Sequence, residues 1–578
     1  MIPKHLPRFG MIAMLGGCSS APLIRVDLAG YAPGQPVPIL VFAAHDPGAL
    51  SLDGARPTTL TAADDPGLYP AAGGDLRVWS YLADGLDGGS WTASVKRASA
   101  PLTVSEDATS AVLSMGWQFY AAQRCGAGAD TLHGACHLYG SVTDGDPATS
   151  SGDGLLVLPS STVDVCRISA GELSDGTHPP VDVEGGWHDA GDYVKFTHTT
   201  AFTVALLLGS YLRDPAAWPD SDGDGSPDVL TAMEPGVRWL IAAHPDDDTL
   251  IYQVSDERDH DYWRLPEDDT WSPIGGLTQR PAYACGEACA NIAGRSAAAL
   301  AMAAQAWAGR DDLLARSAST AAVSLYALGL ARPGVQPTCP ADFYPEDTWT
   351  DDMQLAAAAL YRLTADSAYL DAATRWSADA GDTEGPPSYA DVQVLADAWL
   401  APSVPDRAVL ATRAAAVRAA FSASADSDPT GWAGEGQWGS VATAAGYANA
   451  CAWLVDIDGD SSCGDLSRWQ VHAALGMNPY GVPWMVGISA SGPLAISSPL
   501  TDVGGQPEIG AVVGGPASEA TMQEGGIAAP EDDPFADLQT SEMVYHDSVD
   551  DYVSNEAALD YTAQLLAAVA AWGARPPN

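Results

Sequence analysis

The stretch Gly185-Gly186-Trp187-His188-Asp189-Ala190-Gly191-Asp192-Tyr193-Val194-Lys195-Phe196 sets two carboxylates three residues apart on a glycine-bearing turn, just ahead of a helical segment. Two close carboxylates can share one water: one takes its proton, the other orients it. An isolated Asp-Ala-Gly-Asp is also an ordinary turn with capping aspartates. The flanking Gly-Gly-Trp-His and Tyr-Val-Lys-Phe favour a site. Outward from this stretch, helical segment and loop keep alternating. Ala- and Leu-rich segments with helical spacing recur near 108–123, 200–212, 228–243, 288–309, 311–329, 352–364, 366–379, 387–400, 406–423, 438–455, 467–475 and 552–572. The loops are long, notably 137–187 and 476–551, and long loops in a compact domain are usually functional. Roughly twelve helices with such loops predict an α/α toroid whose loops build a cleft at one end.

Before the helices the chain reads as all-β. Apolar runs such as Ile39-Leu40-Val41-Phe42 are short and split by turns such as Asp46-Pro47-Gly48. This pattern suits a small β-sandwich, with Ile24 to Tyr31 as its first strand and turn.

Composition excludes several functions. Hydrophobic residues make up 47% of the 578-residue chain, so it folds around a large core. The formal net charge is −48, from 74 acidic and 26 basic residues, and the only lysines are Lys4, Lys96 and Lys195. Such a surface repels nucleic acid and anionic lipid but tolerates a neutral polymer such as a polysaccharide. Lys4 and Arg8, a short apolar stretch, and Leu15-Gly16-Gly17-Cys18 read as a bacterial lipoprotein signal over residues 1–18, with Cys18 lipidated. A plain secretory signal is the alternative. Either way the protein is expected outside the cytoplasm, on the outer membrane or extracellular, as a monomer. Eight further cysteines, in an exported chain, imply disulfides.

Near the end, Asp550-Asp551-Tyr552-Val553-Ser554-Asn555-Glu556-Ala557 offers a proton donor, Glu556, read as lying in the first turn of the last helix. A helix N-terminus favours the ionised carboxylate, so burial and neighbouring aspartates would have to outweigh it. Together these residues resemble glycoside hydrolase family 9, the inverting cellulases. Leu475-Gly476-Met477-Asn478-Pro479, Val513-Gly514-Gly515-Pro516 and Tyr552…Asn555-Glu556-Ala557 follow the Asp-Ala-Gly-Asp motif in the family's order. The resemblance implies an immunoglobulin-like β-sandwich over 22–104 and an all-α (α/α)6 catalytic domain over 105–578. It implies Asp192 as general base, Asp189 helping to hold the water, and Glu556 as general acid. Inversion needs acid and base carboxyls roughly 6.5–9.5 Å apart. One departure stands out: family cellulases carry a His-His-Arg stretch that grips the sugar, whereas Pro493 to Leu500 here has no histidine or arginine.

Cys125, Cys136, His137 and His188 make a set suited to tetrahedral zinc, a structural site the resemblance also implies; a Cys125–Cys136 disulfide is the alternative. Asp220, Asp222, Asp224 and Asp228 resemble the start of a calcium loop, or else an acidic solvated turn. Asp351 and Asp352 open a helix where the family often binds calcium, and Asp456, Asp458 and Asp460 form a third acidic cluster. Trp187, Tyr193, Trp349, Asn478 and Tyr552 are the candidate sugar contacts. The leading expectation is hydrolysis of β-1,4-glucosidic bonds by an endoglucanase with structural zinc and calcium and no organic cofactor. An exo-acting glucosidase or glucosaminidase, a xyloglucan or mixed-linkage glucanase, and a non-catalytic sugar-binding lipoprotein are the alternatives.

Overall fold

A computed structural model describes residues 21–62, 67–139, 152–159, 166, 168–173, 175–269, 279–381, 383 and 385–573. The export-signal reading at 1–18 and residues 140–151 of the first long loop lie outside them.

Two antiparallel four-stranded sheets build the N-terminal sandwich. One has the order β1 (Leu23–Arg25), β2 (Val37–Ala43), β6 (Leu76–Ala83), β5 (Gly67–Tyr69); the other has β4 (Thr58–Leu60), β3 (Leu50–Asp53), β7 (Gly89–Val95), β8 (Ala98–Val104). Every residue of β2 is buried. Successive side chains of a strand point to opposite faces. Val37, Ile39 and Val41 therefore fill the sandwich core, while Leu40 and Phe42 join the core of the helical domain. This double burial explains why β2 reads as a continuous apolar run. Polar ties reinforce the seam: Asp27 Oδ2 meets His472 Nδ1 at 2.7 Å, the Leu28 N–H donates to Leu475 O at 2.9 Å, and the Tyr69 hydroxyl donates to Leu538 O at 2.7 Å.

The helices form two concentric rings. Thr197–Arg213, Ala290–Ala306, Thr350–Thr364, Gln393–Leu400, Ser440–Asp458 and Leu559–Trp572 each pack on the next, and the last packs on the first. Ala108–Ala122, Asp228–Ala242, Asp312–Ala331, Ser367–Asp379, Ala408–Ser427 and Gly464–Ala474 lie outside them. An inner helix is surrounded by protein, so it must be apolar all round. Ala290–Ala306 buries every residue but Gln305, whereas outer Ser367–Asp379 buries only Ala372, Ala373 and Ser377. Alanine lets inner helices approach closely and carries the best helix propensity. Gly294 goes further: a Cβ there would lie 2.8 Å from the Asp352 backbone. Disulfides Cys166–Cys339, Cys285–Cys289 and Cys451–Cys463 staple the loops, the last joining two successive helices.

Segments just ahead of inner helices line one cleft: Ala190 to Tyr193 with Phe196, Phe343 and Tyr344, Tyr389 and Asp391, Trp438 and Gly439, and Glu556. Two expected helices start later than their spacing suggests, at Gln393 and at Leu559. Glu556 is therefore not in the last helix. Ala557 bridges to Val513, and the Gly514 N–H donates to Glu556 O at 2.9 Å, which holds this stretch extended. Glu556 thus lies two residues ahead of the N-cap Ala558 rather than in the first helical turn.

Candidate active site

The cleft encloses about 1260 Å³. The Asp-Ala-Gly-Asp turn and the Asn555-Glu556 stretch meet on its floor. The Gly191 N–H donates to Glu556 Oε1 at 3.1 Å, and Leu559 N–H donates to Asp189 O at 3.0 Å. A side chain at Gly191 would place its Cβ 2.4 Å from Ser497 O and 2.9 Å from Glu556 Oε1, so only glycine fits between them.

Two of the carboxyls that line the cleft, Asp192 and Glu556, are driven in opposite directions. Burial pushes Glu556 up, the Asp192 charge adds to it, and the net result is about 8. Burial also acts to raise Asp192, but the His260 charge, the His260 hydrogen bond and the Val194 N–H outweigh it and hold Asp192 below the usual carboxylate value. His260 Nε2 lies 3.4 Å from Asp192 Oδ2, and Val194 N–H donates to Asp192 Oδ1 at 2.7 Å. His260 is pushed up to about 10, since Asp192, Asp259 and Glu556 overcome its burial. At neutral pH the geometry therefore holds a carboxylate and a carboxylic acid on the same floor, each in the state that acid–base work needs.

Asp189 is placed differently from Asp192. It is 1% exposed, and its two oxygens accept the hydroxyls of Thr199 and Tyr344. A carboxyl engaged on both oxygens anchors the turn that carries Asp192.

The sugar-contact expectations divide. Tyr552 is 42% exposed and lines the cleft, its ring 5.7 Å from that of Trp438. Tyr193 borders the cleft but is buried, its hydroxyl donating to Arg264 O at 2.5 Å. Trp187 is buried 5.3 Å from the Tyr120 ring, and Asn478 is buried with its amide donating to Ala473 O and Val482 O. Neither can offer a face to a sugar. Trp349 packs edge-on against Trp376 at 5.3 Å, outside the cleft lining. Sequence reading missed His260, Trp263, Tyr344, Tyr389 and Trp438, all of which line the cleft. The run Asp259-His260-Asp261-Tyr262-Trp263, titratable and aromatic together, carried a signal for the first two. The Pro493–Leu500 segment does reach the cleft, through Ser497 and Pro499. Among the described residues, no lysine or arginine lines it.

Behind the catalytic turn, Cys125, Cys136, His137 and His188 bring buried ligand atoms within 4.8 Å of one another, and the two cysteines are not disulfide-bonded. Cys125 Sγ lies 3.4 Å from His137 Nδ1, and His137 Nδ1 lies 3.3 Å from His188 Nε2. Metal–ligand bonds of about 2.0–2.3 Å in a tetrahedron would set neighbouring ligands roughly 3.3–3.7 Å apart, so the donor set fits a tetrahedral metal ion. His137 Nε2 lies 3.0 Å from Asp269 Oδ2, the outer carboxylate that ligating histidines usually keep. On the surface, Asp220, Asp222 and Asp224 also converge, with Asp228 braced on the Ser221 N–H at 2.9 Å. The Asp351–Asp352 calcium expectation is corrected: Arg295 supplies the cation, its Nε 2.8 Å from Asp352 Oδ1, and Asp351 accepts the Val392 N–H at 2.8 Å. Arginines likewise occupy the third cluster, Arg213 on Asp456 and Arg418 on Asp458.

Comparison with known proteins agrees with this geometry. The family model described as "Glycosyl hydrolase family 9" matches residues 110–569. Endoglucanase 15 of Arabidopsis thaliana is 35% identical over 215 residues, 36% of this chain and 42% of its own length. Endoglucanase B of Cellulomonas fimi is 27% identical over 435 residues, 69% of this chain and 38% of its own length. The chain thus spans about two fifths of these curated relatives. In fold it is similar to a metagenome-derived glycoside hydrolase family 9 endoglucanase, at TM-score 0.72 and 23% identity, covering 96% of this chain and 99% of that one.

Proposed function

We propose that this chain, which belongs to glycosyl hydrolase family 9, hydrolyses β-1,4-glucosidic bonds in cellulose or a related β-glucan, with inversion and in the manner of an endoglucanase. The observation that carries this reading is the opposed pair on the cleft floor: Asp192 held ionised and Glu556 held protonated. Asp192 takes a proton from a water on one face of the sugar while Glu556 protonates the departing glycosidic oxygen. Charge then passes from Asp192 to Glu556, and solvent restores both. His260 keeps Asp192 ionised between turnovers. Asp189, fixed by Thr199 and Tyr344, holds the turn that aims Asp192. Trp263 and Trp438, 44% and 45% exposed, offer ring faces along an open cleft, which suits a chain bound along its length. A cleft without lysine or arginine suits an uncharged polymer.

Incubation with a panel of β-glucans, with product sizes and anomers followed by NMR, tests the whole reading. Mid-chain cleavage with an inverted first product is expected. Terminal release only would make the enzyme exo-acting, and a retained first anomer would overturn the mechanism.

The metal identities belong to the same proposal. Two cysteines and two histidines favour zinc at Cys125, Cys136, His137 and His188, and clustered carboxylates favour calcium at Asp220, Asp222 and Asp224. Zinc there would brace the loop that bears His188 and Asp189. The protein is further proposed to be exported and anchored through lipidated Cys18; the signal-like sequence and three disulfides support this. Mass analysis of the N-terminal peptide checks it: an unprocessed or unlipidated terminus would refute the anchor.

A further inference from the structure

We infer that Asp560 is a specificity-determining residue that accepts a hydrogen bond from a pyranose hydroxyl in the cleft. The inference rests on the β-glucanase reading and names a recognition contact within that site. Asp560 lines the cleft yet is only 5% exposed. Among the described residues, Oδ1 of Asp560 is the one buried side-chain atom without a hydrogen-bond partner that belongs to a cleft-lining residue. A buried acceptor left unpaired is costly, and one at a binding site is best explained by a donor that arrives with the ligand.

The position is built, not incidental. Asp560 follows Leu559, whose N–H is bonded to Asp189 O, so the catalytic turn fixes the start of its helix. The backbone N–H groups of Asp560 and Tyr561 face the carboxyl and hold it at the helix start. Tyr344, Tyr389 and Tyr561 also line this part of the cleft, and Tyr344 is the residue whose hydroxyl holds Asp189. Asp560 thus lies on the wall next to the turn that bears Asp189 and Asp192, with its unpaired oxygen just beneath the surface. Among the described residues no lysine or arginine lines the cleft, and the imidazole of His260 there is engaged by Asp192. A sugar hydroxyl supplies the missing donor. A site built to hydrogen-bond a substrate hydroxyl discriminates strongly against an analogue that lacks it.

The test is a cycle between enzyme and substrate. The wild type, Asp560→Asn and Asp560→Ala are assayed for kcat/KM on cello-oligosaccharides and on analogues lacking one ring hydroxyl at a time. Binding of the same ligands to the Glu556→Gln background is measured by calorimetry, which reports recognition without turnover. Asp560→Ala is expected to lower kcat/KM by about 10- to 100-fold. One deoxy analogue should lose a similar factor on the wild type and lose nothing further on Asp560→Ala, the mark of a direct partner. Equal losses on every analogue, in a variant with wild-type circular dichroism, would show a purely structural role and overturn the inference. So would coupling to an amino group in place of a hydroxyl. Absence of wild-type turnover on every β-1,4-glucan would instead defeat the parent reading, and this assignment with it.

Discussion

Glu556 and Asp192 are chemically alike and differ only in surroundings, so each should fail in its own way. Asp192→Asn removes the proposed base and Glu556→Gln the proposed acid; each should lower kcat on an unactivated glucan by about 10³-fold or more. In the wild type, activity should hold from the acid range up to about pH 8 and fall above it, as Glu556 loses its proton. On a substrate whose leaving group needs no protonation, that alkaline limb should vanish in Glu556→Gln, while Asp192→Asn stays inactive. Stability should move the other way. A carboxyl whose pKa is raised by the fold holds a proton that the unfolded chain releases, so it weakens the fold as pH rises from about 4.5 to 8. Glu556→Gln removes that cost, and its melting temperature at pH 7 should exceed that of the wild type. An unchanged or lower value would contradict the raised pKa.

At the scale of elements, two ties hold the cleft floor in place. Arg295 is fully buried and bridges the inner helices Ala290–Ala306 and Thr350–Thr364 through Asp352, with Glu346 on its other side. Arg295→Met leaves two buried carboxyls without their cation and should cost about 3–5 kcal/mol, whereas adding Asp352→Leu and Glu346→Gln should recover most of it. Thermal unfolding of the single and triple variants distinguishes a broken pair from a lost contact. The second tie is the Cys125, Cys136, His137, His188 set. Metal analysis of the purified protein should return one zinc per chain, and Cys136→Ser should abolish it and lower the melting temperature. Zinc absent from the untreated protein would refute the assignment.

The helices and this cysteine–histidine set were legible in the sequence, because 3.6-residue spacing and close motif residues are local signals. Arg295 was not, since nothing in the sequence shows that it reaches Asp352, 57 positions away. Nor was the start of the last helix: pairing of Ala557 with Val513 overrode local helix propensity. Trp187 was misread because a tryptophan beside catalytic residues looks the same in sequence whether it faces sugar or core.

Over the whole molecule the charge balance sets a pH preference for the fold itself. Burial raises Asp391 to about 6, Glu508 and Asp560 to about 7, and Glu556 to about 8. The folded state therefore holds protons that the unfolded chain gives up just above pH 4, and stability falls as pH rises through this window. His260, raised to about 10, adds to the trend: its stabilising charge is complete below about pH 6.5 and is lost as pH rises towards 10. The net charge of −48 acts in the same direction, since self-repulsion grows as carboxyls ionise. The opposing terms are smaller: burial holds His198 at about 3, so it weakens the fold as pH falls below about 6.5, and below about pH 4 lowered groups such as Asp192 begin to lose their stabilising charge as well. The melting temperature should thus peak near pH 5 and drop by on the order of 5 °C by pH 8. Salt separates the two causes, because about 1 M salt screens surface charges beyond roughly 3 Å but hardly reaches buried groups. A scan at high salt should flatten the slope without removing it, and Glu556→Gln should flatten the remainder. A melting temperature that is independent of pH at high salt would assign the whole effect to the surface and leave the buried carboxyls without a role in stability.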